Sequence, residues 1–290
     1  MDGVLFDPGV NIWLQGFSSP FLDRFMGLVT SLGTAAFYML IIPAVYWCID
    51  RRQGHNLMFL FLTSMWINGF AKEWFGLPRP AAAQGVRVLV HETSPGFPSG
   101  HAQGAMTLWG YLGWQYRGRR AAWTAAAFLI FLIGLSRLYL GAHFLGDVLG
   151  GYGIGLVLLA VFVTGFRQGW GGSWPRSVKL VLAVAVPLAL YAISRRSGDE
   201  QVLGFLLGLL VTDLYALEKL DYSPRAPLWA QLVKGLLGIA VFVPLYVLRR
   251  TLLPGGWAAL FGYAVLSAWV TLGAPWVFLR LGLARPERAG

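Results

Sequence analysis

Ala121-Ala-Trp-Thr-Ala-Ala-Ala-Phe-Leu-Ile-Phe-Leu-Ile-Gly-Leu-Ser136-Arg137-Leu-Tyr-Leu140 is an apolar run that ends around one cation, and Gly141-Ala-His143-Phe-Leu-Gly-Asp147 follows it without a break. A run of about 20 apolar residues is what a helix needs to cross ~30 Å of hydrocarbon. Similar runs recur along the chain. Nine stretches read as spans: Phe25–Ile49, Leu57–Phe75, His101–Tyr116, Ala121–Leu140, Gly146–Phe166, Val178–Ile193, Val202–Leu217, Trp229–Leu248 and Trp257–Leu279. The third is short and polar in places (Gln103, Thr107, Gln115), as suits a helix lining a site rather than facing lipid. The expected fold class is all-α, a polytopic transmembrane helical bundle.

Composition points the same way. The 290 residues are 57% hydrophobic and only 12% charged, with mean hydropathy +0.60, whereas a soluble domain carries ~25% charged residues. The start of the chain lacks the basic, apolar, small-residue layout of a cleaved signal peptide. Residues 9–24 mix Trp13, Phe17, Phe21 and Leu22 with polar residues, which reads as an interfacial segment. The single cysteine, Cys48, excludes an internal disulfide and a cysteine-rich metal site, and reads as inert packing. A net charge of +10 could signal nucleic acid, but the basic residues sit in short loops between spans, so no nucleic-acid partner is expected.

Those loops also predict topology. If Lys72–His101 and Arg137–His143 share one side, alternation sends Arg51/Arg52, Arg117/Arg119/Arg120, Arg167/Arg176, Lys219/Arg225 and Arg280/Arg285/Arg288 to the other. That more basic side is expected to be cytoplasmic and the candidate site extracytoplasmic. Arg195/Arg196 and Arg249/Arg250 run against the trend, with Asp199 and Glu200 offsetting the first pair; Asp2, Asp7 and Asp23 suit an outer N-terminus.

Two of the four histidines and several of the scarce charges fall inside three stretches: Lys72-Glu-Trp-Phe-Gly-Leu-Pro-Arg79-Pro80, Pro98-Ser99-Gly100-His101, and Ser136-Arg137 through His143 to Asp147. Cleaving a phosphate ester needs cations on its oxygens, an in-line nucleophile and an acid for the leaving oxygen. Lys72, Arg79 and Arg137 supply cations, arginine as a flat fork and lysine as a point charge. Read singly, each could be a headgroup anchor. Pro98-Ser99-Gly100 reads as a helix start whose free amides cradle an anion, with the Ser99 hydroxyl as a further donor and Gly100 allowing close approach. His143 and Asp147, four apart, would share a helix face, the carboxylate fixing the imidazole tautomer so that the other nitrogen can attack phosphorus. His101 would protonate the leaving oxygen and then activate water. The rival chemical reading is a metal site of His101, His143 and Asp147.

Other polar residues draw plainer expectations. His55 reads as solvated and His91 with Glu92 as loop surface, with a substrate-tuning role as the sharper alternative. Asp213 and Lys234 lie inside apolar spans and read as a structural pair. Gly146–Gly155 and Gly204–Leu210 read as shared helix-packing composition rather than a repeat.

The three stretches resemble the type 2 phosphatidic acid phosphatase family, whose pattern is K-x6-R-P, then P-S-G-H, then S-R-x5-H-x3-D; every fixed position is present, and the likeness covers roughly residues 25–168. The resemblance implies a metal-independent phosphatase needing no cofactor. His143, His101 and Asp147 would be its catalytic residues, and Lys72, Arg79, Ser99, Gly100 and Arg137 its phosphate ligands. It divides the chain into an interfacial segment 1–24, a phosphatase core 25–168 and C-terminal helices 169–290. The setting implies a lipid phosphate or diphosphate as partner, in a cell membrane of the bacterial inner-membrane kind. Undecaprenyl (di)phosphate, phosphatidylglycerol phosphate, phosphatidic acid and sphingoid phosphates are all open. A lipid phosphotransferase would use the same phosphohistidine, and a transporter or scaffold with an idle site is the non-enzymatic alternative.

Overall fold

A computed structural model describes residues 4–286 apart from 195, 197 and 221. Asp2, Arg195 and Arg288, used in the charge count, lie outside the described residues, as does the Lys219 side chain. The chain is 76% helix with no strands among those residues. Twelve α-helices run in order: α1 Gly9–Gln15, α2 Pro20–Ser31, α3 Ala35–Ala44, α4 Arg51–Phe75, α5 Gly100–Gln115, α6 Arg120–Tyr139, α7 Leu145–Gln168, α8 Arg176–Ser194, α9 Asp199–Lys219, α10 Leu228–Leu252, α11 Gly256–Ala268 and α12 Ala274–Arg280. Single π-turns, Val45–Ile49 and Trp269–Gly273, extend α3 and join α11 to α12.

Eight of the nine apolar stretches are helical to within a residue of their ends, and Phe25–Ile49 is broken by a turn at Leu32, Gly33 and Thr34. By length and composition five helices can cross a membrane (α6, α7, α8, α10 and Gly256–Arg280), or six if α2 and Ala35–Ile49, bent by 51°, form one span. The protein is therefore a multi-pass membrane protein, with fewer such spans than the nine expected. The shortfall has local causes. α5 has 16 residues, about 24 Å of helix and short of the hydrocarbon core. α4 carries His55 and Asn56 beside its apolar stretch and Asn68 within it, and the described part of α9 carries Asp199, Glu200 and Asp213.

The helices group into two compact units, one of residues 1–38 and 67–167 and the other of residues 39–66 and 168–290. This differs from a simple break at 168, because residues 39–66 group with the C-terminal helices.

In the first unit α5 packs on α6, and α2 and α1 also lie on α6. Helix α7 approaches α5 through glycines: a Cβ on Gly151 would lie 2.5 Å from the Ser99 carbonyl oxygen, and one on Gly155 3.0 Å from that of Gln103. Small residues four apart permit this backbone-to-backbone approach. It brings the start of α7, with Asp147, against the start of α5, with His101. Helix α2 begins at Ser19, whose hydroxyl accepts from the Leu22 amide at 3.2 Å, with Pro20 at the first helical position.

In the second unit α9 packs on α11 and α8. Here Gly204 and Gly208 face α11 at similar range, 2.4 Å from Leu260 O and 2.3 Å from Ala264 O for an added Cβ. Both glycine-rich stretches are thus packing seams. The expected Asp213–Lys234 pair does not form. Asp213 lies 3.1 Å from the Nδ1 of His55, which is half-buried rather than solvated. Lys234, fully buried, donates to the carbonyls of Trp47 at 2.9 Å and Pro224 at 2.8 Å. The π-turn exposes the Trp47 carbonyl to that ammonium, a use to which such bulges are often put. Cys48 is half-buried and free.

Candidate active site

Pro98-Ser99-Gly100-His101 forms the start of α5. Ser99 is the N-cap, and its hydroxyl accepts from the Ala102 amide at 3.4 Å. Its own amide donates to the Asp147 carbonyl at 2.9 Å, tying α5 to α7. Asn68 braces the same turn from α4, donating to Pro98 O at 3.3 Å and Gln103 Oε1 at 2.8 Å. The first amides of a helix have no intrahelical acceptor. With those of Ser99 and Ala102 satisfied, the Gly100 and His101 amides are the ones left to hold an anion.

His143 and Asp147 do pair, though not across one helix face. His143 sits in the loop just before α7, and Asp147 is in its first turn. Asp147 Oδ2 reaches back to accept from the Phe144 amide at 2.9 Å and meets His143 Nδ1 at 3.2 Å. This is the reach-back half of a capping box, with a carboxylate three residues into the helix serving the N-cap amide. Capping α7 and orienting the imidazole are one act of one side chain. Both residues are buried, and Asp147 Oδ1 has no hydrogen-bond partner among the described residues.

The other nitrogen of His143, Nε2, lies 3.0 Å from Arg79 Nη1. A guanidinium can only donate. Nε2 must therefore carry the lone pair and Nδ1 the proton, which goes to Asp147. Two contacts select the tautomer in which Nε2 can act as nucleophile. Burial, then the charges of Arg79, Arg137, Lys72 and His101, hold the His143 pKa well below 6.5, so the ring is neutral at ordinary pH. His101 is near enough to act on His143 electrostatically, and its ring lies over the α2–α3 turn: a Cβ on Gly33 would be 2.6 Å from His101 Cδ2.

The three cations converge on the same place. Arg79 donates to the carbonyls of Ser94 at 2.7 Å, Pro95 at 3.2 Å and Ala142 at 2.7 Å, and to the Ser94 hydroxyl at 3.1 Å. Lys72 donates to the carbonyls of Pro95 and Gly96. Arg137, 1% exposed, donates to the Thr30 hydroxyl at 2.7 Å and to Glu92 Oε1. Glu92 Oε2 also lies 3.7 Å from Arg79. All eight residues expected at the site are thus in one unit and around one point. His101, His143 and Asp147 do not form a three-ligand metal group among the described residues, and a guanidinium already faces Nε2.

The sequence reading missed three contributors and took a fourth, Glu92, as loop surface. Asn11, fully buried on α1, donates to the carbonyls of Leu138 at 2.7 Å and His143 at 2.9 Å. Gln15, one turn on, donates to those of Arg87 and Tyr139, both at 2.8 Å, and accepts from the Arg87 amide at 2.9 Å. Thr30 holds Arg137, and Glu92 pairs with two cations instead of forming plain loop surface. The polar i, i+4 pair of Asn11 and Gln15, opposite exposed Trp13 and Phe17, was the available signal for the first two.

Comparison with known proteins assigns the chain to a family. Residues 53–170 match the PAP2 superfamily, and residues 201–286 match a family described as PAP2 superfamily phosphatase, transmembrane extension. Phosphatidylglycerophosphatase B of Bacillus subtilis is 33% identical over 51% of this chain and 77% of its own length. Dihydrosphingosine 1-phosphate phosphatase C823.11 of Schizosaccharomyces pombe is 29% identical over 61% of this chain, which spans 46% of that protein. The crystal structure of Aquifex aeolicus LpxE shares the fold, with TM-score 0.52 at 23% identity over 56% of this chain and 97% of that one. With its relatives membrane lipid phosphatases and both parts of the chain matched, this protein belongs to the PAP2 superfamily, as a membrane phosphatase bearing that superfamily's transmembrane extension.

Proposed function

We propose that the chain hydrolyses a lipid phosphate or diphosphate through a phosphohistidine on His143, with its site on the extracytoplasmic side. The observation that carries this reading is the pair of contacts that leaves the His143 Nε2 lone pair beside Arg79. In the first half-reaction Nε2 attacks phosphorus in line and the phosphorus–oxygen bond to the lipid breaks. His101 gives its proton to that oxygen, and Asp147 stabilises the charge gained by the ring. In the second, His101 takes a proton from water, whose oxygen attacks phosphorus as the nitrogen–phosphorus bond breaks. Inorganic phosphate leaves, and both histidines return to their starting states. Lys72, Arg79, Arg137 and the Gly100 and His101 amides hold the phosphoryl oxygens as charge moves onto them. These cations stand where Mg²⁺ stands in other phosphoryl-transfer sites, so the reaction runs without a divalent metal.

A lipid substrate is supported by the setting. Exposed Trp13, Phe17 and Phe21 line the outer face of α1 and the start of α2, while the opposite face of α1 holds the His143 loop. Aromatic residues of this kind sit at headgroup level, which puts the site where a phosphate headgroup is presented by a buried tail. Phosphatidylglycerol phosphate and a sphingoid phosphate, the substrates that two relatives' names give, head the panel to be tested, with undecaprenyl (di)phosphate and phosphatidic acid beside them.

The test is phosphate release from that panel by the purified protein in detergent, with and without chelator, for the wild type and His143→Ala. Hydrolysis of at least one lipid, unaffected by chelator, is expected. The variant should lose activity by far more than tenfold, given the losses of about 10⁴ or more that removing a nucleophile produces. A His143→Ala protein within tenfold of wild type, or wild-type activity that vanishes in chelator and returns with one metal, overturns the mechanism.

A further inference from the structure

We propose that Glu92 is a built-in stand-in for substrate phosphate, holding the cations until a phosphoryl group enters and then leaving. The inference rests on the reading of Arg79 and Arg137 as phosphate ligands. Its own observation is that a carboxylate already divides its oxygens between them: Oε1 accepts from Arg137 Nη2, and Oε2 lies 3.7 Å from Arg79 Nη2. A guanidinium fork fits carboxylate and phosphate oxygens alike. The pair therefore cannot serve both anions in full.

The two sides of this contact differ in freedom. Arg137 is 1% exposed and anchored through Thr30. Glu92 stands on the loop between the first two sequence motifs, and its side chain is 30% exposed. It also lines a cleft of about 290 Å³, together with Arg79, Val90, His91 and Ala142. The carboxylate is thus the partner that can move, and the cleft is the space beside it. A buried guanidinium without an anion is costly, so the free enzyme gains from Glu92 at that place. An entering phosphate dianion takes over the neutralisation and repels the carboxylate. On product formation the same competition works in reverse, with Glu92 returning to help expel inorganic phosphate from a site that three cations would otherwise hold tightly.

A competitor that occupies the site most of the time weakens apparent affinity by the fraction of time the site is free. If Glu92 is in place about nine-tenths of the time or more, removing its charge tightens anion binding about tenfold or more. The experiment is calorimetric titration of orthovanadate, and separately of inorganic phosphate, into the full chain in detergent. It compares wild type, Glu92→Gln, Glu92→Ala and Arg79→Ala, with inhibition of turnover by added phosphate as a kinetic readout. Both Glu92 variants should bind each anion at least about tenfold more tightly, and turnover should become correspondingly more sensitive to added phosphate. Binding equal to or weaker than wild type in both variants overturns the proposal, because a carboxylate that merely braces Arg137 would loosen the site when lost. Arg79→Ala separates the two layers. If vanadate binding survives in it undiminished, the phosphate-site reading itself falls. If binding is lost there yet unchanged in the Glu92 variants, only the role of Glu92 falls.

Discussion

Gly33→Ala tests how finely His101 is placed. Gly33 lies in the α2–α3 turn, and its φ is outside the left-handed region, so alanine is allowed there by the backbone. The space is not. The added methyl would stand 2.6 Å from His101 Cδ2, 3.2 Å from its Cγ and 3.1 Å from Ile133 Cγ2. Carbon atoms settle at ~3.5–4.0 Å. The imidazole must then retreat by about 1 Å, since fully buried Ile133 blocks the other direction. A displacement of that size in a reacting group costs on the order of 10² in rate. The nucleophile and cations are untouched, so kcat should fall about a hundredfold while KM and orthovanadate affinity stay within about threefold of wild type. Phosphate release, vanadate titration and a thermal melt on the same preparation read all three quantities. A kcat within about threefold of wild type would refute the reasoning. With an unchanged melt it would mean that the ring has room the geometry denies; with a lowered melt, that the turn opened instead.

Three further outcomes are expected. In the free enzyme the ring of His143 must be neutral to attack, and burial with the surrounding cations disfavours its protonated form. Activity is therefore kept as pH falls through 6.5 and is lost only below the lowered pKa. Bound phosphate dianion offsets the cations, so the acid limb of kcat should lie at higher pH than that of kcat/KM; coincident limbs, or one in kcat/KM at 6.5 or above, would contradict this. Asn11→Ala removes two hydrogen bonds to buried carbonyls, one of them on His143. It should cost about 1–3 kcal/mol of stability and lower kcat, whereas Gln15→Ala, whose partners are Arg87 and Tyr139, should lose stability with a smaller kcat effect; equal kcat losses would remove Asn11 as the support of the nucleophile. Ala83→Cys and Gly118→Cys, each in a Cys48→Ser background, occupy exposed loops. An impermeant thiol reagent should label the first in intact cells and the second only after the membrane is opened, and the reverse pattern would turn the site to the cytoplasm.

What the sequence disclosed, and what it hid, follows from how each residue acts. The three motifs were legible because each is a local device: a cap, a reach-back carboxylate, a cation at the end of an apolar helix. Local devices need fixed residue types at fixed spacing. Even there the mechanics differed in one respect, since His143 precedes α7 and Asp147 meets it across the helix start. Asn11, Thr30 and Glu92 left no such trace. Their partners lie 127 and 132, 107, and 13 and 45 residues away along the chain, and no spacing encodes a contact that only packing creates. The same holds for Asp213 and Lys234. Pairing them by opposite charge was reasonable for two ions in apolar spans, but the π-turn at Val45–Ile49 offered Lys234 carbonyl acceptors, and α4 placed His55 by Asp213.

These distant contributors have a common effect. Asn11 fixes the backbone of His143, Thr30 fixes Arg137, and the Ser94–Gly96 carbonyls, with Glu92, occupy the cations. Three positive charges within a mostly apolar chain would be unstable if left bare, yet must be free to take phosphate oxygens. Neutral carbonyls and one semi-exposed carboxylate meet both demands, because a carbonyl contact is exchanged for a charged one at a gain, and the carboxylate has solvent to retreat to. Preorganisation here therefore lies in the anchored contacts of the two arginines, Arg137 at Thr30 and Arg79 at the Ala142 carbonyl, while their other contacts stay exchangeable. The half of the site that sequence motifs record is the half to which the proposed chemistry falls; the half that packing records is the half that holds those residues in place.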